Sequence, residues 1–206
     1  MILHGYWRST AAWRVRIALA MKGLTVDQVP HHLRDGGQRA PDYLALNPQG
    51  LVPALVTDGG QVLTQSLAIC EYLDEIAPEP PLLPGDAARR ARIRAAALVV
   101  AADIHPIQNL RIIRRIKAMG HDEQAWARQV IEEGFDALEA LLAKTEGPFA
   151  FGPAPTLADI FITPQMSNAR RFGCELRWPR LQAIEAECLK LDAFRLTAAE
   201  HQPDAE

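Results

Sequence analysis

The run Pro78-Glu79-Pro80-Pro81-Leu82-Leu83-Pro84 (PEPPLLP, residues 78–84) holds four of the fifteen prolines of a 206-residue chain. Proline lacks the N–H that a helix or an inner strand requires, so the run predicts a stiff extended connector and a domain boundary. On its N-terminal side strand-like and helical patterns alternate. Ile2–Tyr6 reads as a short strand. Ala11–Lys22 reads as a helix, with Trp13, Ile17 and Met21 at helical spacing and Gly23 as its stop. Leu24–Pro30 is a second strand, Arg34–Gln38 (RDGGQ) a loop and Asp42–Leu46 a weak helix. Pro53–Thr57 and Gln61–Leu63, joined by Asp58-Gly59-Gly60, read as a hairpin. Gln65–Ile76 closes this half as an amphipathic helix with Leu67, Ile69, Cys70 and Leu73 on its apolar side. The order β-α-β-α-β-β-α implies a small α/β sheet rather than a bundle.

Working outward in the other direction, everything reads as helix: Asp86 to Lys117, Asp122 to Leu142, Thr156 to Phe172 and Pro179 to Thr197. Pro106 interrupts the first of these and predicts a kink near His105. The expected organisation is an α/β domain over residues 1–80, a linker over 78–86 and an all-helical domain over 87–206. Thr156-Leu157-Ala158-Asp159 is a capping-box variant, a stability device at the start of the third helix.

Composition removes several function classes. The chain is 49% apolar and 23% charged, the balance of an ordinary globular protein. A net charge of −3 argues against a phosphate-binding basic face, and therefore against nucleic acid and anionic membranes as partners. No apolar stretch reaches the ~20 residues of a membrane span. Cys70, Cys174 and Cys188 form an odd, widely spaced set without a CxxC pair. That disfavours a disulfide framework and a thiolate metal site, and points to a reducing, cytoplasmic location.

Three short segments of the first domain carry candidate chemistry. Ser9-Thr10-Ala11-Ala12 places hydroxyls between a strand and a helix, where they serve as N-caps or help hold an anion. Leu51-Val52-Pro53-Ala54 opens a strand with a proline, which requires either an edge position or a cis bond. A cis Val52–Pro53 bond would turn the Val52 N–H and C=O outward, free to pair with an extended peptide. Gln65-Ser66 opens the next helix and offers a second anion site. Each segment has a purely structural explanation. Together they would suit a small peptide bearing a carboxylate and a thiolate.

Tyr6-Trp7-Arg8-Ser9-Thr10, followed by Trp13-Arg14-Val15-Arg16-Ile17-Ala18-Leu19, resembles the signature of zeta-class glutathione S-transferases. That class includes the maleylacetoacetate and maleylpyruvate isomerases. The resemblance continues through Asp35-Gly36-Gly37, Leu46-Asn47-Pro48, Val52-Pro53 and Gln65-Ser66-Leu67-Ala68-Ile69. It extends to Asp103–Leu110, Leu157-Ala158-Asp159, Ala169-Arg170-Arg171-Phe172 and the tail Gln202-Pro203-Asp204, and so spans the chain. It implies a thioredoxin-like N-terminal domain, an all-α C-terminal domain, glutathione as cofactor and a homodimer. By resemblance, Ser9 donates to the glutathione sulfur, with Thr10 and Ala11 beside it. Val52 and Pro53 pair with the cysteinyl backbone, Gln65 and Ser66 hold the γ-glutamyl end, and His105 and Asn109 reach glutathione or substrate. Ala11 stands where many relatives have cysteine, so the working thiol must belong to glutathione.

The implied reaction is addition of the thiolate to the cis double bond of a maleyl β-diketo acid, rotation and elimination to the trans product. A free thiol is only a few per cent ionised at neutral pH, and Ser9 with the helix dipole would lower its pKa. Such a substrate carries two carboxylates, for which arginine forks are better suited than lysine. Of the 22 basic residues 18 are arginine, and Arg8, Arg111 and Arg171 are the candidates for binding them. Arg89, Arg90, Arg92 and Arg94 read as a solvated face. Maleylacetoacetate isomerase is the leading reading. Maleylpyruvate isomerase, a transferase acting on α-haloacids, and a thioredoxin-fold scaffold are the alternatives, the last opposed by retention of a complete glutathione site.

Overall fold

The structure, a computed structural model, describes residues 1–206 and divides into two compact units. The first comprises Met1–Leu82 together with Leu191–Glu206, the second Leu83–Lys190.

In the first unit, β1 (Ile2–Gly5), α1 (Thr10–Met21) and β2 (Asp27–Pro30) form a crossover whose strands run parallel, Ile2 opposite Asp27. After α2 (Pro41–Leu46) come β3 (Ala54–Val56) and β4 (Val62–Thr64), an antiparallel hairpin. Gly60, at φ +78°, supplies the left-handed residue of that hairpin loop without a Cβ penalty. The sheet order is β2-β1-β3-β4, so β3 is an interior strand rather than a free edge. Pro53 is accommodated by the other route, a cis Val52–Pro53 bond just ahead of the strand. α3 (Ser66–Ile76) packs beside α1. Leu3, Trp13, Val15, Ile17, Leu55, Ile69 and Leu73 form the core.

α1 is not the one-sided helix its apolar spacing suggests. It is buried from Thr10 to Leu19, Arg14 and Arg16 included. α3 lies against it, and so does the chain terminus through α9 (Asp192–Arg195). Trp13 Nε1 donates to Thr197 Oγ1 at 3.1 Å, and Arg16 Nε to the Thr197 carbonyl at 3.0 Å. These bonds draw residues 191–206 into the first unit, which corrects the expectation that the helical domain runs to residue 206.

The second unit is entirely helical: α4 (Ala87–Leu98), α5 (Leu110–Ala118), α6 (Glu123–Leu142), α7 (Leu157–Arg171) and α8 (Pro179–Cys188). α7 is its central helix, packed on α4 and α8. Its start is fixed by Asp159, whose carboxylate accepts the Thr156 N–H at 2.7 Å, the Thr156 hydroxyl at 2.8 Å and the Ala150 N–H at 2.7 Å. Phe135 and Trp178 meet edge to face at 5.1 Å, a geometry worth about 1 kcal/mol beyond their burial.

Two helix boundaries differ from expectation. The kink near His105 is a π-helical turn over Val99–Ile104 followed by a complete break before α5. The His105 N–H reaches back five residues to the Val100 carbonyl at 2.9 Å, and Pro106 has no N–H with which to continue. The expected helix from Pro179 to Thr197 ends at Cys188 and resumes as α9. Arg89, read as solvated, is half-buried and donates to the Phe151 carbonyl.

Candidate active site

Ser9 is the N-cap of α1, in extended backbone, with its Oγ accepting the Ala12 N–H at 3.2 Å. The structural explanation of this residue is therefore correct, and it does not exhaust the residue. A hydroxyl has one proton and two lone pairs. Capping uses one lone pair, so the proton remains available to a negatively charged sulfur at the positive end of the helix dipole. Thr10 and Ala11 are the first two residues of α1, both buried. Arg8, half-exposed, extends its guanidinium 5.8 Å from the Trp7 ring centre.

Val52 sits two residues ahead of the first laddered residue of β3, and neither its N–H nor its C=O is bonded within the chain. The loop before it is held firmly. The Leu51 carbonyl accepts from the Tyr43 hydroxyl at 2.5 Å and from Asn47 Nδ2 at 2.7 Å. Burial pushes the Tyr43 hydroxyl up to about 12, so at neutral pH it remains a donor. The unpaired Val52 groups are those a peptide backbone would require.

Gln65, the N-cap of α3, has φ +68° and ψ 114° and offers its helix no side-chain cap. A non-glycine residue held there costs of order 1–3 kcal/mol and marks a functional constraint. The consequence is an uncapped helix start, with Gln65 Nε2 donating to Gln49 Oε1 at 3.1 Å. Ser66, buried, accepts from Arg14 Nη1 at 3.3 Å. That bond sets the N-termini of α1 and α3 side by side. It also puts a fully buried cation beside the Ser66 hydroxyl, its pKa lowered to about 9 by burial and still charged at neutral pH. Composition and spacing gave no reason to single out Arg14. The WRVRIAL resemblance contained it without saying what it does.

Three candidates, together with the adjacent Gln108, lie between the end of the π-helical turn and the first turn of α5. His105 is half-buried at the end of that turn. Asn109 caps α5, its Oδ1 accepting the Arg111 N–H at 3.0 Å, and Arg111 is exposed one residue into the helix. Gln108, not singled out by sequence, is buried with its Oε1 unsatisfied. The signal was its place between two candidates. Arg171, the last residue of α7, is exposed and lies over the Phe172 ring at 5.0 Å.

None of the three cysteines is a nucleophile in waiting. All are buried, and burial raises Cys70 to about 12, Cys174 to about 11 and Cys188 higher still. Thiolate chemistry at Ser9 would need a thiol from outside the chain.

Comparisons with known proteins give the family and the fold. The family model for the glutathione S-transferase N-terminal domain matches residues 3–81, and that for the C-terminal domain matches residues 86–183. A maleylpyruvate isomerase from a Ralstonia species is 48% identical, over the full length of both chains. A maleylacetoacetate isomerase from Pseudomonas aeruginosa is 45% identical over 99% of this chain and 98% of its own. A solved bacterial maleylpyruvate isomerase, described as a zeta-class glutathione S-transferase, is 46% identical over both full chains with a TM-score of 0.96. A maleylacetoacetate isomerase from Anaeromyxobacter dehalogenans, solved with glutathione in its active site, gives a TM-score of 0.92 at 40% identity, covering 100% of this chain and 97% of its own.

Proposed function

The chain belongs to the glutathione S-transferase family, and on that premise we propose that it is a glutathione-dependent cis–trans isomerase that converts maleylacetoacetate to fumarylacetoacetate. The observation that carries the reading is the pairing of a capping serine that keeps its proton with the unbonded backbone of Val52, on a chain without an accessible thiol. Glutathione, when bound, supplies a thiolate able to add to the cis double bond and leave again after rotation.

The chain's own residues make that thiolate available and hold the substrate around it. Ser9 donates its proton to the sulfur and, with the N-terminus of α1, favours the ionised form. Thr10, Ala11, Val52 and Pro53 line the cysteinyl part of the tripeptide. Gln65 and Ser66, at the uncapped start of α3, hold its γ-glutamyl end. Arg8, next to Ser9, takes a substrate carboxylate. A guanidinium there also stabilises negative charge that develops on the substrate's oxygen atoms. The work is positioning and electrostatics throughout. No metal is required.

The similarity to a maleylpyruvate isomerase at 48% identity favours a second reading, the same chemistry on the shorter keto acid. Like its relatives' reaction, either one consumes a small dianion. The protein acts as a cytoplasmic homodimer in aromatic catabolism. Unpaired thiols at Cys70, Cys174 and Cys188 support the reducing compartment, and no helix is long and apolar enough to cross a membrane. An ultraviolet assay of both maleyl acids, with and without glutathione, tests the proposal. Glutathione-dependent loss of the cis substrate is expected. Turnover of neither acid refutes the isomerase, and turnover without glutathione refutes the mechanism.

A further inference from the structure

The tail motif Gln202-Pro203-Asp204 is unused by the chemistry above, yet it lies in the same compact unit as Ser9. The turn that delivers Ser9 runs from Tyr6 to Ser9 and is closed by the Ser9 N–H donating to the Tyr6 carbonyl at 3.0 Å. Side chains from outside the turn take both backbone polar groups of Trp7. The Trp7 N–H donates to an Asp204 carboxylate oxygen at 3.0 Å, and the Trp7 carbonyl accepts from Arg16 Nη2 at 3.0 Å. Arg16 is only 5% exposed and also donates to the Tyr6 carbonyl at 3.5 Å and the Thr197 carbonyl at 3.0 Å. The Asp204 charge acts back on that guanidinium, opposing the effect of its burial.

The tail is in turn anchored. Gln202 Nε2 donates to the Thr197 carbonyl at 3.1 Å and the Ala198 carbonyl at 2.9 Å, and the Ala205 N–H donates to the Gln202 carbonyl at 3.0 Å. An acid from the chain terminus and a base from α1 thus grip one residue, Trp7, through the peptide units on either side of it. The residue after next is Ser9. A hydrogen bond to an ionised acceptor is roughly twice as strong as a neutral one, and a working hydroxyl must be held to within ~0.5 Å of its productive place.

We propose that Asp204 is a positioning residue for Ser9: by accepting the Trp7 N–H opposite Arg16, it sets the turn from which the Ser9 hydroxyl and the Arg8 side chain are presented. This rests on the reading of Ser9 as the hydroxyl that donates to the glutathione sulfur. Ballast alone would stabilise the fold and leave the bound thiol untouched. Positioning moves both.

The test uses the full chain with glutathione and compares Asp204→Ala, Asp204→Asn and Ser9→Ala. Three quantities are read: ionisation of the bound thiol by its thiolate absorbance, kcat and KM, and amide hydrogen exchange over residues 7–12. In Asp204→Ala the Trp7–Ser9 amides exchange faster, the thiol ionises at higher pH, and kcat falls about tenfold, equivalent to ~1.4 kcal/mol, with glutathione KM changed less than about twofold. Asp204→Asn, whose amide oxygen still accepts the Trp7 N–H, recovers most of the loss. Faster exchange with unchanged thiol ionisation and kcat overturns the proposal. A thiol shift in Ser9→Ala without one in Asp204→Ala overturns the positioning role alone, whereas an unmoved thiol in Ser9→Ala overturns the Ser9 reading and the proposal with it. Should Asp204→Ala not fold, Asp204→Gln displaces the acceptor by one methylene and carries the same comparison.

Discussion

On the proposed reading one oxygen at Ser9 serves the fold and the chemistry together, and substitution separates the two. Ser9→Ala removes an N-cap, which costs about 1 kcal/mol, and removes the only proton the hydroxyl offers a sulfur. The expected result is a kcat lower by roughly a hundredfold, the scale of losing one aimed donor, with a small fall in the urea midpoint. Near-normal turnover with the same midpoint shift would leave Ser9 as a cap and nothing more. Arg8 is next to it in sequence but differs in kind, since its side chain is half-exposed. Arg8→Ala is expected to raise KM for the dianionic substrate about tenfold, the cost of one charged hydrogen bond, while glutathione KM changes little. An equal rise in both constants would count against a carboxylate role.

The π-helical turn over Val99–Ile104 shows how an element's shape depends on its neighbour. It packs against α6, and Gly134 of α6 is where they come closest. A Cβ at Gly134 would lie 2.2 Å from Ile104 Cγ1, inside any real contact distance. In an isolated helix Gly134→Ala would gain ~1 kcal/mol of propensity. Here Ile104 is fully buried, and overpacking of this kind costs about 1–3 kcal/mol, so the variant is expected to be less stable. Calorimetry of the two proteins decides it: a raised Tm would mean that the turn can shift aside. α1 makes the same point with charge. Its spacing of Trp13, Ile17 and Met21 showed a helix, whereas its burial all round, Arg14 and Arg16 included, comes from α3 and the chain terminus.

On the scale of the molecule, stability and pH are linked through a cluster that joins three elements of the first unit. His4 of β1 and His31 beyond β2 share a hydrogen bond, Nδ1 to Nε2 at 2.9 Å, and His31 lies 4.1 Å from the Tyr43 ring of α2. Burial lowers the pKa of both imidazoles, and for His31 the neighbouring His4 charge adds to it while a Gly37 backbone contact opposes. The shared bond needs one neutral acceptor, and two charged rings would repel. Because the folded pKa values lie below the ordinary 6.5, the unfolded chain binds more protons as the solution is acidified. The stability is therefore complete above that value and is lost as pH falls through it toward the folded pKa values. Urea midpoints at about pH 7.5 and 5.5 should show the decline, and His31→Gln should flatten it. A pH-independent difference between wild type and variant would dissociate the cluster from the effect.

What the amino-acid sequence determined by itself is what short-range physics controls. Proline at 78–84 stopped regular structure, and Ser9, Asn109 and the Thr156–Asp159 box capped helices within a turn of themselves. Pro53 left a choice between an edge and a cis bond. Such signals act over a few residues and survive any tertiary context. Tertiary structure decided which way the Pro53 choice fell by placing β3 inside the sheet. It also decided that Arg14 and Arg16 are buried, that the tail returns to the first unit, and that Asp204 reaches Trp7. Their partners are far along the chain: 52 residues separate Arg14 from Ser66, 181 separate Arg16 from Thr197, and 197 separate Trp7 from Asp204. A buried charge is tolerable only where the fold supplies acceptors, and no local pattern records where those acceptors will come from.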